Sequence, residues 1–168
     1  SLSDAAAESL SKHERGLDLN SLTSLSDAAA ESLSKHEGAL DLNGLTSLSD
    51  AAAESLSRQK GNYLSLNGLT SLSDAALESL SRHEGPLHLN GLTNLSDLAT
   101  ESLGKHKGDL SLGGLLSLSS IGADHLVWIC SHGSLTLPDW SGYGGKTQQC
   151  NVTISDKAIL LAERTSAA

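Results

Sequence analysis

Leucines recur along this chain in a fixed phase. Leu40-Asp41-Leu42 alternates, Leu45 and Leu48 follow at steps of three, and Leu48, Ala52 and Leu56 stand four apart. Alternation is the pattern of a short half-buried strand, whereas a spacing of four puts side chains on one face of a helix. Between the two, Asn43-Gly44 reads as a turn, because both residues tolerate positive φ. Ser49-Asp50 reads as a helix start, an N-cap hydroxyl followed by a carboxylate at the positive end of the dipole. Gly38, Gly61, Gly85 and Gly108 read as C-caps that close the preceding helices. Each unit is therefore predicted as strand, turn, helix, turn.

The unit repeats. Ser-Asp-Ala-Ala-Ala-Glu-Ser-Leu-Ser begins at Ser3, Ser26 and Ser49, with looser copies from Ser73 and Ser96. The aspartates at 4, 27, 50, 74 and 97 are spaced 23, 23, 24 and 23, with one residue inserted near Asn62. Ser120 continues the series, and Ile154-Ser155-Asp156-Lys157-Ala158 resumes it after a longer gap. Residues 1–137 are predicted as a repeat array, and 138–168 as a degenerate last repeat with an inserted loop, forming a C-terminal cap. A three-residue strand and a ten-residue helix cannot offset their chain entropy alone. Stacked, Leu40, Leu42, Leu45, Leu48 and Leu56 meet their counterparts, each contributing roughly 1.5–3 kcal/mol when fully buried. About six parallel strands and seven helices are expected.

Composition supports this reading. Aromatics are 2 %, with no Phe and no Met, so the core must reuse Leu and Ala in a regular geometry. Net charge is −9, which argues against nucleic acid or an anionic membrane surface as partner. No run of about 18 apolar residues is present, so no membrane-inserted helix is expected. The chain opens in mid-motif without Met, as a fragment or processed chain would.

The pattern Leu40-x-Leu42-x-x-Leu45-x-x-Leu48, recurring from Leu64 and Leu87, resembles the leucine-rich repeat family in a short bacterial variant. The resemblance covers roughly residues 1–137, and 151–163 more weakly. It implies an α/β fold: a right-handed solenoid, or horseshoe, with a short parallel sheet on the concave face and helices on the convex face. It also implies protein–protein recognition, without naming a partner. One departure stands out: Leu45, Leu69 and Leu92 occupy the place where the family usually has Asn, so its asparagine ladder lacks its usual residue.

Side chains beside the strand leucines are expected to point outward. The central row is Asp18, Asp41, Ser65, His88, Ser111 and Thr136; the row before it is Gly16, Ala39, Tyr63, Pro86, Asp109 and Ser134. These rows vary while the leucines do not. Asp41, Tyr63, Ser65, Pro86, His88, Asp109 and Ser111 are the candidate partner-binding residues, with Tyr63, Pro86 and His88 supplying hot-spot chemistry. Trp140 and Tyr143 in the inserted loop read first as a cap over the exposed end of the core, and alternatively as a protruding loop that joins these partner-binding residues. Cys130 and Cys150 flank that loop and are either a disulfide or two free thiols.

Other chemistry is weakly represented. His13, His36, His83 and His106 share one repeat position, but Gln59 interrupts the row. The helix C-terminal dipole, favouring partly protonated imidazoles, explains them without a metal. Asp18 and Asp41 lack the further oxygen ligands a Ca²⁺ site needs. Gly142-Tyr143-Gly144-Gly145-Lys146-Thr147 has Trp140 where a P-loop needs its first Gly. No catalytic residues, no cofactor and no metal are expected. The leading function is a protein-interaction module; a structural spacer or adhesion repeat without a specific ligand is the alternative, favoured by the near identity of the first three units.

Overall fold

The computed structural model describes residues 2–61, 63–127 and 135–136. Helices and two-residue strands alternate along them: α1 Asp4–Ser11, β1 Leu17–Asp18, α2 Asp27–Leu33, β2 Leu40–Asp41, α3 Asp50–Ser57 and β3 Leu64–Ser65. Then follow α4 Asp74–Leu80, β4 Leu87–His88, α5 Asp97–Leu103, β5 Leu110–Ser111, α6 Ser120–Val127 and β6 Leu135–Thr136. The strands form one parallel sheet in sequence order, so each helix from α2 to α6 is a crossover between neighbouring strands. This is a repeat solenoid, one unit per rung.

Register follows the leucine phase residue for residue. Leu17, Leu40, Leu64, Leu87, Leu110 and Leu135 pair across the sheet, and so do Asp18, Asp41, Ser65, His88, Ser111 and Thr136. The longer 24-residue step is thus taken up before β3; Asn62 itself lies outside the described residues. Leu40, Leu42, Leu45 and Leu56 and their equivalents in later rungs are buried between sheet and helices, while Leu10, Leu19 and Leu22 of the first rung, and Leu25, Leu48, Leu72 and Leu95, are only partly covered at the edge of that core.

Each helix begins as the sequence indicates. The hydroxyls of Ser3, Ser26, Ser49, Ser73 and Ser96 accept from the backbone N–H three residues on. The same hydroxyls also donate to the aspartate one rung back: Ser26 to Asp4 at 2.7 Å and Ser96 to Asp74 at 2.6 Å. The pairs Ser49–Asp27, Ser73–Asp50 and Ser119–Asp97 repeat the contact. The Ser-Asp pair is therefore a cap within its rung and a tie between rungs.

The glycines do something other than expected. No described glycine has positive φ, and the helices end in right-handed residues such as Ser34 and Arg58. Gly61 and Gly68 are needed because rungs approach closely. A Cβ at Gly61 would lie 2.1 Å from Gly38 O, and one at Gly68 2.1 Å from Asn43 O. Gly38 and Gly108 are similarly crowded by the rung before. Gly61, Gly68 and Gly108 thus record stacking distance rather than a left-handed cap or turn.

Candidate binding face

The strand side is built from the two outward rows. In the row preceding the strands, Leu17, Leu40, Leu64 and Leu87 N–H groups donate to the carbonyls of Ala39, Tyr63, Pro86 and Asp109 at 2.8–3.0 Å. The ladder takes only the carbonyl from this position, so Pro86, which has no N–H, fits as well as any residue. Identity here is free to vary, and it does.

Beneath the central row runs an asparagine ladder. Asn20 Oδ1 accepts from Asn43 N at 2.8 Å, Asn43 Oδ1 from Asn67 N at 2.9 Å, and Asn67 Oδ1 from Asn90 N at 2.8 Å. Asn90 Oδ1 then accepts from Gly113 N at 2.6 Å. A ladder therefore exists, contrary to the expectation drawn from Leu45, Leu69 and Leu92. It stands two residues earlier, where Asn immediately follows the second strand leucine.

This ladder removes two candidates from the accessible surface. Ser65 donates to Asn43 Oδ1 at 2.6 Å and accepts from Asn67 Nδ2 at 2.9 Å, and it is 0 % exposed. Ser111 donates to Asn90 Oδ1 at 2.7 Å and is 9 % exposed. Both were expected to point outward, but a short hydroxyl side chain is drawn into the ladder instead. Asp18 and Asp109 are exposed; Asp41, Tyr63, Pro86 and His88 are half-buried. Trp140, Tyr143, Cys130 and Cys150 lie outside the described residues.

Tyr63 and His88 meet across β3 and β4 with ring centroids 4.7 Å apart and planes tilted by 58°. Burial lowers the His88 pKa, opposed by the carboxylates of Asp41 and Asp109. At neutral pH the His88 ring beside Tyr63 is thus favoured in its uncharged form.

The imidazole row differs from expectation. His36, His83 and His106 are at most 1 % exposed. The His83 pKa is pushed down to about 4, first by burial and then by the neighbouring His106, against a raising contribution from the Gln59 backbone. His106 is lowered as well, by burial, although the Ser81 carbonyl beside Nδ1 opposes it. The helix dipole does not hold the His83 and His106 rings partly protonated; burial favours their neutral form. Gln59, in the same position of its rung, donates through Nε2 to His36 O at 3.2 Å and Gly38 O at 2.7 Å, tying down the end of the preceding rung. Among the described residues no group of three or more His, Cys, Asp or Glu is placed to hold a metal.

The helix side carries ion pairs one turn apart: Glu8–Lys12, Glu54–Arg58, Glu78–Arg82 and Glu101–Lys105, at 3.1–3.3 Å. Grooves between α3, α4 and α5 are lined in part by these pairs. Thr100 Oγ1 lies 3.3 Å from His125 Nδ1 but already donates to Asp97 O and is 1 % exposed, which does not make a nucleophile. No helix among the described residues is long and apolar enough to cross a membrane. No family model matches the chain, and no curated protein matches it.

Proposed function

We propose that this chain is a non-catalytic protein-recognition module of the leucine-rich repeat type, a right-handed horseshoe that engages its partner through the concave strand face. The observation that supports this is the Tyr63–His88 pair, half-buried on a face whose structural hydrogen bonds are made by the asparagine row beneath. Aromatic anchors that take no part in the scaffold are the residue type that dominates interface energetics. The inserted loop, with Trp140 and Tyr143, adds to the contact.

A pull-down from the source lysate and secreted fraction tests the reading. The chain is compared with a Tyr63→Ala/His88→Ala/Trp140→Ala variant of equal circular dichroism. A partner held by the first and lost by the second is the expected result; a folded chain that captures nothing in either form shifts the reading to a structural spacer. The near identity of the units from Ser3, Ser26 and Ser49 favours that second reading, since a selected face diversifies between repeats.

A further inference from the structure

We infer that the His83–His106 pair is an acid-sensitive clasp. At neutral pH it holds closed the two loops that follow α4 and α5, and protonation in mildly acidic solution opens them while the rungs of α2 and α3 stay closed.

The position these rings occupy joins one rung to the next. Gln59 stands there in its own rung and donates back to His36 O and Gly38 O. His106 makes the corresponding reach, its Nδ1 lying 3.2 Å from Ser81 O. A neutral imidazole has one N–H for one such carbonyl. His106 Nε2 is buried without a hydrogen bond of normal geometry, and Gly108 packs so closely that a Cβ there would lie 3.0 Å from it. Neither ring nitrogen of His83, which is 1 % exposed, is held by such a bond either. A proton added to either ring therefore brings a buried charge and a second N–H that is poorly received.

Adjacency singles out this pair. His36 is followed one rung on by Gln59, which takes up no proton, whereas His83 is followed by His106, whose ring disfavours a charge on it. The grooves on either side of His83 carry Glu78, Arg82 and Glu84 of its own rung, Arg58 and Lys60 of the rung before, and Glu101, Lys105 and Lys107 of the rung after. Arg58, Glu78, Arg82, Glu101 and Lys105 are paired along their own helices. Lys60 and Lys107 outnumber Glu84, so this surround does not draw a proton to the ring. Around His106, the Asp109 carboxylate and the backbones of Ser81, Asp109 and Gly85 favour a charge, yet burial outweighs them. The equivalent position in the following rung, Ile129, lies outside the described residues. Loops 81–86 and 104–109 run directly into β4 and β5, and Leu87 N donates to Asp109 O at 2.8 Å where their ends meet.

Hydrogen exchange on the full chain at about pH 7.5 and about pH 5, corrected for intrinsic rates, tests the clasp above the ordinary carboxylate range. The Leu87 amide should lose roughly 30-fold in protection, the factor set by a His83 pKa of 6.5 when open and about 4 when closed. The Leu42 amide, bonded to Ser65 O, should change less than about threefold. His83→Gln/His106→Gln, copying the residue at Gln59 and retaining His88, should abolish the loss at Leu87. A reading that needs no variant is the ring titration of His83 in the unaltered chain, expected well below 6.5. An equal loss at Leu42 would mark general unfolding and overturn the local clasp. A loss at Leu87 that persists in the double variant would assign it to other groups and overturn the role of the pair. No loss at Leu87, or a His83 ring titrating near 6.5, would overturn the inference outright.

Discussion

The two sides of the solenoid solve the same problem of outward-facing residues in opposite ways. On the helix side, Glu78 and Arg82 pair at 3.1 Å with 63 % and 59 % of their side chains exposed, and neighbouring rungs repeat the arrangement with almost the same residues. On the strand side, the corresponding row runs Asp18, Asp41, Ser65, His88, Ser111, with no chemistry common to all rungs. The helix side pairs its exposed charges within each of these rungs. The strand side can vary because its scaffold lies one layer down, in the buried leucines and the Asn43–Asn67–Asn90 ladder. A surface relieved of structural duty is one that selection can shape for binding.

Removing the layer common to both sides has the largest effect. Leu66 is fully buried, so Leu66→Ala should cost about 2–5 kcal/mol, read as a lower urea midpoint. A smaller loss would mean that neighbouring rungs relax into the cavity.

Acidification comes next. The folded pKa of His83 is about 4, below its ordinary 6.5, so the unfolded chain binds the proton more tightly. Stability is unaffected by this group above pH 6.5 and falls as pH drops from there toward 4, by on the order of 2 kcal/mol. His83→Gln, copying the residue at Gln59, should flatten the urea midpoint against pH over that window. An unchanged slope would assign the acid sensitivity to other groups.

The ladder beneath the strand face should matter somewhat less than a core leucine. Asn67→Ala leaves Asn90 N without its acceptor and Ser65 Oγ without one donor, at about 1–3 kcal/mol. Hydrogen exchange at the Asn90 amide reads this locally, and faster exchange there is the expected outcome.

The helix side should be the least sensitive. Glu78→Gln breaks an exposed pair, at about 0.3–0.5 kcal/mol, and less at high salt. A larger loss would show that the charge rows hold rungs together, and the contrast between the two sides would weaken.

The rung was legible in the sequence because a 23-residue period places Leu17, Leu40 and their successors in phase, and sheet register can only follow that phase. What was not legible depends on reach between rungs. Asn43 reads locally as a turn residue, and only stacking shows its oxygen holding Asn67 N. Gly61 reads as a cap until Gly38 O is seen 2.1 Å from where its Cβ would be. His83 and His106 look like polar helix ends, yet both are buried within the stack. Within the candidate face, alternation predicted which residues pair across the strands, but it could not separate Ser65 and Ser111, drawn inward by hydrogen bonds, from Asp41 and His88, which are half-buried.

The most direct test sets the stability of the Tyr63→Ala/His88→Ala variant beside its binding. Urea unfolding should shift by no more than about 1 kcal/mol, well short of Leu66→Ala, because neither side chain belongs to the leucine core or the asparagine ladder. Partner capture should be lost at the same time. A variant that unfolds as readily as Leu66→Ala, or one that binds undiminished, would show that this pair belongs to the scaffold and would contradict the account.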